Sequence, residues 1–416
     1  MIKALPNLKS LSQELSHVVL LYDGSKDGYC FLGLGCKKSL EIGGDISELD
    51  VLNALEKFSD CGRWTFGWIG YDVKNSFLNL TTSTENGLGL PDLAWWEPEV
   101  VIKWNAHSKP EVIQGDEKCD LAKRGLTAIY DDDVTNEVGA TEMFWSWKKE
   151  EYVEKFNTVK DLIQAGDVYE LNLCQTLIGS APPSNSWGLF SNLYLKTKAP
   201  FSAYLQCGNA RIMSGSPERF LKRIGDKLIS QPIKGTTARG ANLEEDERFI
   251  EELKSSEKER AENIMIADLV RNDLSRVAVR DSVEVVDLCG IHTFETVHQM
   301  ITEVNCMVDS KTGLSEVLRA TFPMGSMTGA PKISAMKNID LLEQKGRGVY
   351  SGSVGYISPD GDFDLNVLIR SLFHNAETEI IEASVGGAIT SLSNAEDEYN
   401  ECVLKAEALI KTVNGE

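Results

Sequence analysis

The order of apolar patterns along the chain predicts an α+β fold built in layers. Two observations carry this. Short apolar runs punctuated by Gly and Asp fill residues 17 to 104, and after Trp145 strands and helices mix without a regular βαβ alternation. A chain of 416 residues, 42% of them hydrophobic, has material for two or three domain-sized units and a large core.

The elements follow in order. "HVVLLYDG", "YCFLGLG", "RWTFGWIGYD" and "EVVIKW" read as strands with connecting segments. Residues 105 to 142, which include "YDDDVTNE", are polar and read as a loop or linker between an N-terminal region (1–142) and a second region (143–416). "WKKEEYVEKFNTVKDLIQAG" has helical spacing, with Gly166 placed as its C-terminal cap. "DVYELNLCQTLIG" returns to a strand, and "AYLQCGNARIMSGSPERFLKRIGDKLISQPIKG" reads as strands joined by tight turns. "NLEEDERFIEELKSSEKERAENIMIADLVRND" is a long acidic helical region with a break expected near Lys254 to Ser256. A strand "SVEVVDL", helices "KTGLSEVLRATF" and "PKISAMKNIDLLEQ", two strand-rich stretches and a closing helix from about Ala395 complete the chain.

Composition narrows the function. A net charge of −21 repels nucleic acid and anionic lipid. An anionic substrate would therefore need local cations, either Lys, Arg or a metal. Nine cysteines without a C-x-x-C pair fit reduced thiols in a cytoplasmic protein rather than a disulfide framework or a zinc site. The sequence has no apolar run long enough for a bilayer, and its N-terminus is too polar for a secretory leader.

Four constellations could carry chemistry. Glu259 with Glu262, and Glu398 with Glu401, are i,i+3 pairs at the head of apolar helical stripes. They suit a solvated acidic face, or an oxygen-loving cation such as Mg²⁺. "MGSMTGAPK" and "VGGAIT" are small-residue stretches that suit turns, or an anion nest with a helix N-terminus behind it. In "HTFETVHQM", His298 becomes an acid or base only if it lines a pocket. Glu218 and Lys234 would face each other across a hairpin if Gly225 to Lys227 formed a three-residue loop. They would then be a surface ion pair, or in a closed site an acid beside a lysine made nucleophilic by desolvation.

Taken together, "AGDVYELNLCQ", "SGSPERF", "QPIKGTTARG", "AENIMIADLVRNDLSRV", "TVHQM", "GSMTGAPKISAM", "YSGSVGYISPDGDFDLNVLIRS" and "GGAITSLSNAEDEYNECVLKA" resemble the chorismate-utilising enzymes, in family order from about Ala165 to Ala406. "GWIGYD" is the main match in the N-terminal third. The resemblance implies two large antiparallel sheets packed face to face with helices outside, as in anthranilate synthase component I. It also implies chorismate as substrate and a requirement for Mg²⁺. By position, Glu259, Glu262, Glu398 and Glu401 match the Mg²⁺ cluster. Tyr350 and Arg370 match the holders of the enolpyruvyl carboxylate. Gly386, Gly387 and their neighbours match carboxylate-binding amides, with Ala388 in place of a frequent glycine, and Thr328 and Gly329 fall in the other small-residue motif. Thr236 matches a substrate-contacting threonine, His298 the histidine at the ring carboxylate and pyruvate end, and Glu218 the general acid for the C4 hydroxyl.

Within the family, P-I-K-G-T matches the aminodeoxychorismate branch, where the anthranilate branch has alanine in place of Lys234. The implied reaction is attack of Lys234 on C2, then entry of ammonia at C4, on the 4-aminobenzoate branch of folate synthesis. Glu170 stands where the isochorismate and salicylate branch has a lysine, which argues against that branch. Thr237, Ala238 and Arg239 replace a usual Arg-Pro-Arg, and Leu392 and Ser393 a usual Asp-Ser. The family's ammonia commonly comes from a separate glutamine amidotransferase, for which this chain has no cysteine elbow, so a partner subunit is expected. An anthranilate synthase component and a non-catalytic chorismate-binding subunit are the alternatives.

Overall fold

The strand His17–Leu21 shows how the layers are built. In this computed structural model, which describes residues 5–24, 28–44, 46, 49–78, 80, 87–131 and 139–415, Val18, Val19, Leu20 and Leu21 are all buried. Alternate side chains of a strand point to opposite faces. Val19 and Leu21 enter one apolar cluster, and Val18 and Leu20 enter another. A sheet covered on both faces needs no polar alternation, so the run is continuously apolar.

Among the described residues, that sheet has 11 strands. From one edge they run Gly329–Ala330, Glu170–Ser180, Ile380–Ile389, Ser371–Asn375, Ala210–Ser216, Phe201–Cys207, His17–Leu21, Cys30–Leu34, Val100–Asn105 and Ser108–Gln114, with Met143–Trp145 added beside Glu170–Ser180. A second sheet of 10 strands runs Ile233–Ala238, Val297–Met307, Lys227–Gln231, Arg219–Ile224, Phe363–Asn366, Ser353–Ile357, Thr65–Ile69, Leu93–Glu97 and Lys38–Ile42, with Glu284–Thr293 beside Val297–Met307. Among the described residues, every paired strand is antiparallel to its neighbour. The N-terminal strands join both sheets. Val19, Phe31 and Leu205 of the first sheet share a core with Phe66, Trp68, Trp95 and Val354 of the second. On the outer face of the first sheet, helices Lys149–Ala165, Ser186–Thr197 and Ala395–Val413 contribute Tyr152, Phe156, Trp187, Phe190 and Leu409. Burying one such side chain contributes about 1.5–3 kcal/mol.

The helix break falls where the sequence puts it. Leu243–Ser255 ends and Glu257–Ser275 begins at Ser256, whose hydroxyl accepts the Glu259 backbone N–H at 3.3 Å. Gly166 caps its helix with φ 84°. The stretch 105–142 is not a plain linker. It carries the strand Ser108–Gln114 and a helix, Asp120–Tyr130, while residues 132–138 lie outside those described. That helix is held by small residues: a Cβ at Gly125 would come within 2.8 Å of Ile102 and Leu34. A polar sequence thus hid a narrow contact stripe. Among the described residues, no helix is long and apolar enough to cross a membrane.

One buried polar network ties the layers together. Arg347 donates to Glu343 through Nε at 2.8 Å and Nη2 at 2.6 Å, to the Met327 carbonyl at 2.6 Å and to the Asn172 carbonyl at 2.8 Å. Its guanidinium lies 4.7 Å from the Tyr71 ring centroid. Glu343 accepts the Cys174 backbone N–H at 3.0 Å, and Asp72 accepts that of Gly348 at 2.7 Å. Lys74, fully buried, pairs with Asp72 at 3.2 Å and Asp340 at 3.4 Å. Removing one partner of a buried pair strands the other charge. We expect Arg347→Met to lose about 3–5 kcal/mol in urea unfolding. Arg347→Met with Glu343→Leu should regain part of that loss. A single variant as stable as the parent would contradict the role given to Arg347.

Candidate active site

The chain after Pro232 brings Lys234 between the sheets. The hairpin before it differs from the sequence expectation. Its turn has two residues, Gly225 (φ 58°) and Asp226, not three, and a register shift between Arg219 and Lys222 follows. Glu218 therefore precedes the strand Arg219–Ile224, Lys234 lies on Ile233–Ala238, the second strand after it, and the two are not a cross-strand pair. They still converge electrostatically, because Lys234 is among the charges that act on Glu218. Gly235, with φ 85°, lets the chain pass helix Glu257–Ser275: a Cβ there would lie 3.0 Å from Glu259 Oε2.

The ion partner of Lys234 is Glu170, at 3.7 Å, the first residue of strand Glu170–Ser180 in the opposite sheet. The lysine side chain is 15% exposed and that of Glu170 3%. Burial disfavours the Lys234 charge, but Glu170, Glu262, Glu218 and Glu401 together outweigh it and hold the ammonium above its ordinary range. Desolvation alone therefore does not make it a free amine. Burial also raises the Glu170 carboxyl, against the pull of Lys234. Sequence reasoning used Glu170 only to set aside one branch. The contact is between sheets and has no local signature.

Glu218 is 5% exposed and accepts from the Ser326 hydroxyl at 2.9 Å. Burial pushes its carboxyl up to about 7, with Ser326 and Lys234 opposing. It is thus a carboxylic acid near neutral pH, which suits a general acid. A cavity of about 20 Å³ lies behind it, lined by Phe220, Val270, Leu274, Met324 and others, with space for one water.

The four glutamates face one another from two helices. Burial raises Glu259 and Glu398, and in each case the neighbouring Glu262 or Glu401 adds to it. Burial also acts on Glu401, but the Lys405 ammonium at 2.7 Å, with Lys234 and Lys258, outweighs it and holds that carboxyl low. Lys258, 4.0 Å from Glu262, feels all four carboxylates. Clustered carboxylates of this kind are the donor set of a hard divalent cation. Among the described residues, the group whose ligand atoms all lie within 4.8 Å is instead His17, Glu41 and Cys207, at another place in the fold. The glutamate oxygens are more open, as suits a cation that keeps water or substrate oxygens.

Arg370 and Tyr350 lie close enough to influence each other. Arg370 has φ 53°, and burial lowers its guanidinium against Tyr350 and Glu401. Among the described residues, its hydrogen bond is a single long one, to the Lys405 carbonyl at 3.4 Å. A partly buried cation so thinly satisfied suits a carboxylate. Gly386 and Gly387 pair with Cys174 and Leu173. A Cβ on Gly386 would come 2.4 Å from the Leu173 carbonyl, and one on Gly387 3.0 Å from Glu398.

Other candidates are placed differently. Both ring nitrogens of the buried His298 are engaged, with Asp246 at 2.9 Å and Thr293 at 2.9 Å. Asp246 is in turn gripped by Arg239 at 2.8 Å, so Arg239, in the departed Thr-Ala-Arg stretch, anchors this histidine. Thr236 is exposed two residues beyond Lys234. The fully buried Thr328 spends its hydroxyl on the Met324 and Gly325 carbonyls, both at 3.3 Å, and Gly329 (φ 145°) packs against the Glu170 carbonyl. Leu392 is 85% exposed, away from these contacts. A separate cavity of about 240 Å³ opens between Tyr22, Asp23, Phe201, Lys222, Tyr356 and Asp364. The sequence reading did not point to it.

The Glu218 proton gives a signed expectation. Its folded value lies above the ordinary carboxylate value, so the stability it contributes is complete below the ordinary value and is lost as pH rises through about 7. Glu218→Gln should therefore gain stability relative to the parent between pH 5.5 and 8.5, read from urea midpoints at the two pH values. Parallel pH curves for the two proteins would show that Glu218 is not held protonated.

Comparison with known proteins agrees with this geometry. Residues 17–411 match the family model described as chorismate binding enzyme. The chain is 35% identical over 350 residues to "Aminodeoxychorismate synthase component 1" of Escherichia coli (strain K12), covering 83% of this chain and 76% of that protein. It is 43% identical over 267 residues to "Aminodeoxychorismate synthase, chloroplastic" of Arabidopsis thaliana, covering 62% of this chain but only 28% of that longer protein. The crystal structure of anthranilate synthase component I from Streptococcus pneumoniae TIGR4 superposes with a TM-score of 0.80 at 24% identity, over 92% of each chain, and so shares the fold. The two facing sheets, the site between them and the match along nearly the whole sequence lead to one conclusion: this chain is a member of the chorismate-binding enzyme family.

Proposed function

We propose that the chain is the synthase component of an aminodeoxychorismate synthase, converting chorismate and ammonia to 4-amino-4-deoxychorismate. The observation that carries this reading is the placement of Lys234. It is a mostly buried amine, ion-paired with Glu170 and within the field of a protonated Glu218. The resemblance puts alanine there in the anthranilate branch, and an incidental lysine would not be kept buried among carboxylates at a desolvation cost.

Each group has a task. Arg370 and Tyr350 hold one substrate carboxylate, and the Gly386–Gly387 backbone leaves room for the other beside helix Ala395–Val413. Glu259, Glu262, Glu398 and Glu401 would hold Mg²⁺, which supplies positive charge to an anionic substrate when bound. The Lys234 amine attacks C2, the ring double bonds shift, and Glu218 protonates the C4 hydroxyl as it leaves as water. Ammonia then bonds to C4 and expels the lysine. His298, fixed by Asp246 and Thr293, serves as a positioned wall of the site. The ammonia donor is a glutamine amidotransferase partner, and free ammonium replaces it in vitro.

Purified protein with chorismate, ammonium and Mg²⁺ is expected to give 4-amino-4-deoxychorismate by mass, with no pyruvate released. Chelation should stop turnover, and Lys234→Ala should lose C4 amination by about 100-fold or more. Fluorescent anthranilate with equimolar pyruvate would replace this reading with the anthranilate one. No chorismate consumption would make the chain a binding subunit.

A further inference from the structure

The reaction above needs Lys234 as a neutral amine, yet the surrounding carboxylates hold it as an ammonium. Something must take that proton before C2 can be attacked. Glu218 is the wrong group, because it has to keep its own proton for the departing hydroxyl. Besides Glu218, three carboxylates act on Lys234: Glu170, Glu262 and Glu401. Among the described residues, Glu170 is the one within 4.0 Å of Nζ, at 3.7 Å.

Its backbone is fixed by the neighbouring strand Gly329–Ala330. Gly329 and Ala330 pair with Leu171 and Glu170, Tyr169 N–H donates to the Ala330 carbonyl at 2.7 Å, and a Cβ on Gly329 would sit 2.1 Å from the Glu170 carbonyl. The side chain, 3% exposed, therefore leaves a rigid strand end, crosses the gap between the sheets and meets the lysine. Among the described residues, Lys234 is its ion partner.

We propose that Glu170 is the general base for the nucleophile: it takes the proton from the Lys234 ammonium and returns it when the lysine is expelled. The inference rests on Lys234 being the nucleophile. The protons and electrons balance. Glu170 carboxylate plus ammonium gives carboxylic acid plus amine. The amine lone pair forms the C2–N bond, and the C4–O bond breaks with the Glu218 proton, releasing water and leaving the adduct nitrogen a secondary ammonium. Ammonia forms the C4–N bond as the C2–N bond breaks, and lysine leaves as a neutral amine. That amine recovers its proton from Glu170, while the new C4 ammonium gives one to Glu218. Both carboxyl groups end as they began. A separation of 3.7 Å is longer than a hydrogen bond, and catalytic contacts of this kind tighten in a Michaelis complex.

The test is Glu170→Gln, which keeps size and polarity but cannot take a proton. With chorismate, ammonium and Mg²⁺ across pH 6.5 to 9.5, kcat is expected to fall about 100-fold or more at neutral pH. It should recover as pH rises, because solvent then deprotonates Lys234, while KM for chorismate changes less than about threefold. A mere counter-ion behaves otherwise: its loss eases deprotonation, so kcat would hold or rise with an unchanged pH profile, and that result overturns the proposal. If Glu170→Gln does not fold, Glu170→Asp takes its place. It should show an intermediate loss with the parent's pH profile, and full activity would overturn the proposal. Lys234→Ala in the same assay separates the two claims. If it aminates C4 normally, the nucleophile itself is misassigned. If it is inactive while Glu170→Gln is normal, only the base is.

Discussion

A buried charge must be paired, and in this chain the pairing of Arg347 with Glu343 decides where much else can lie. The guanidinium has five donors in a fixed plane, and its partners come from several separate stretches of the sequence. It satisfies carbonyls of Asn172 and Met327, while Glu343 satisfies the Cys174 amide. Asn172 in turn donates to the Ser326 carbonyl at 3.1 Å, and the Ser326 hydroxyl donates to Glu218. The position of Glu218 can thus be followed, bond by bond, back to one arginine. Asp72 and Lys74 extend the same network into the N-terminal third, the part of the chain that carries least of the family's chemistry.

The electrostatics of the site follow from an excess of carboxylates around few cations. Lys258 and Lys405 stand among the four glutamates, and Lys234 answers to carboxylates from several elements. Two of these carboxylates are moved in opposite directions. Glu218 is raised by burial in an apolar corner, and Glu401 is lowered by an adjacent lysine. Opposed environments for similar groups are how one site keeps an acid and a base at the same pH.

What could be read in the sequence was what local pattern encodes. The i,i+3 glutamates declare a shared helix face, and the acidic helical region was read with a break near Lys254 to Ser256, and both stand as expected. The layered α+β class followed from the mixture of apolar runs, and the face-to-face sheets from the family likeness. The pairing of Glu218 with Lys234 was misplaced because register depends on one residue of turn length and one bulge, which apolar alternation does not resolve. The Lys234–Glu170 contact, the Asp246 anchor of His298 and the Arg347 network join residues 64, 52 and 175 positions apart or more, so no window on the chain reveals them. In "EQKGRGVY" Arg347 looks like one more solvated loop cation. The helix at Asp120–Tyr130 escaped because small residues, Ala122, Gly125 and Ala128, make up most of its buried stripe, with Ile129 as the large apolar member.

The strand order has a kinetic side. His17–Leu21 pairs with Phe201–Cys207, Thr65–Ile69 with Ser353–Ile357, and Glu170–Ser180 with Ile380–Ile389, so neither sheet can close until almost the whole chain is present. Pairings of such long sequence separation form slowly, since loop entropy must be lost before they contribute. Lys234 and Glu170 hang from different sheets, and they meet only when the sandwich has shut. A half-folded or newly emerging chain therefore has strands and helices but no poised amine, and catalytic competence arrives as one of the last events of folding.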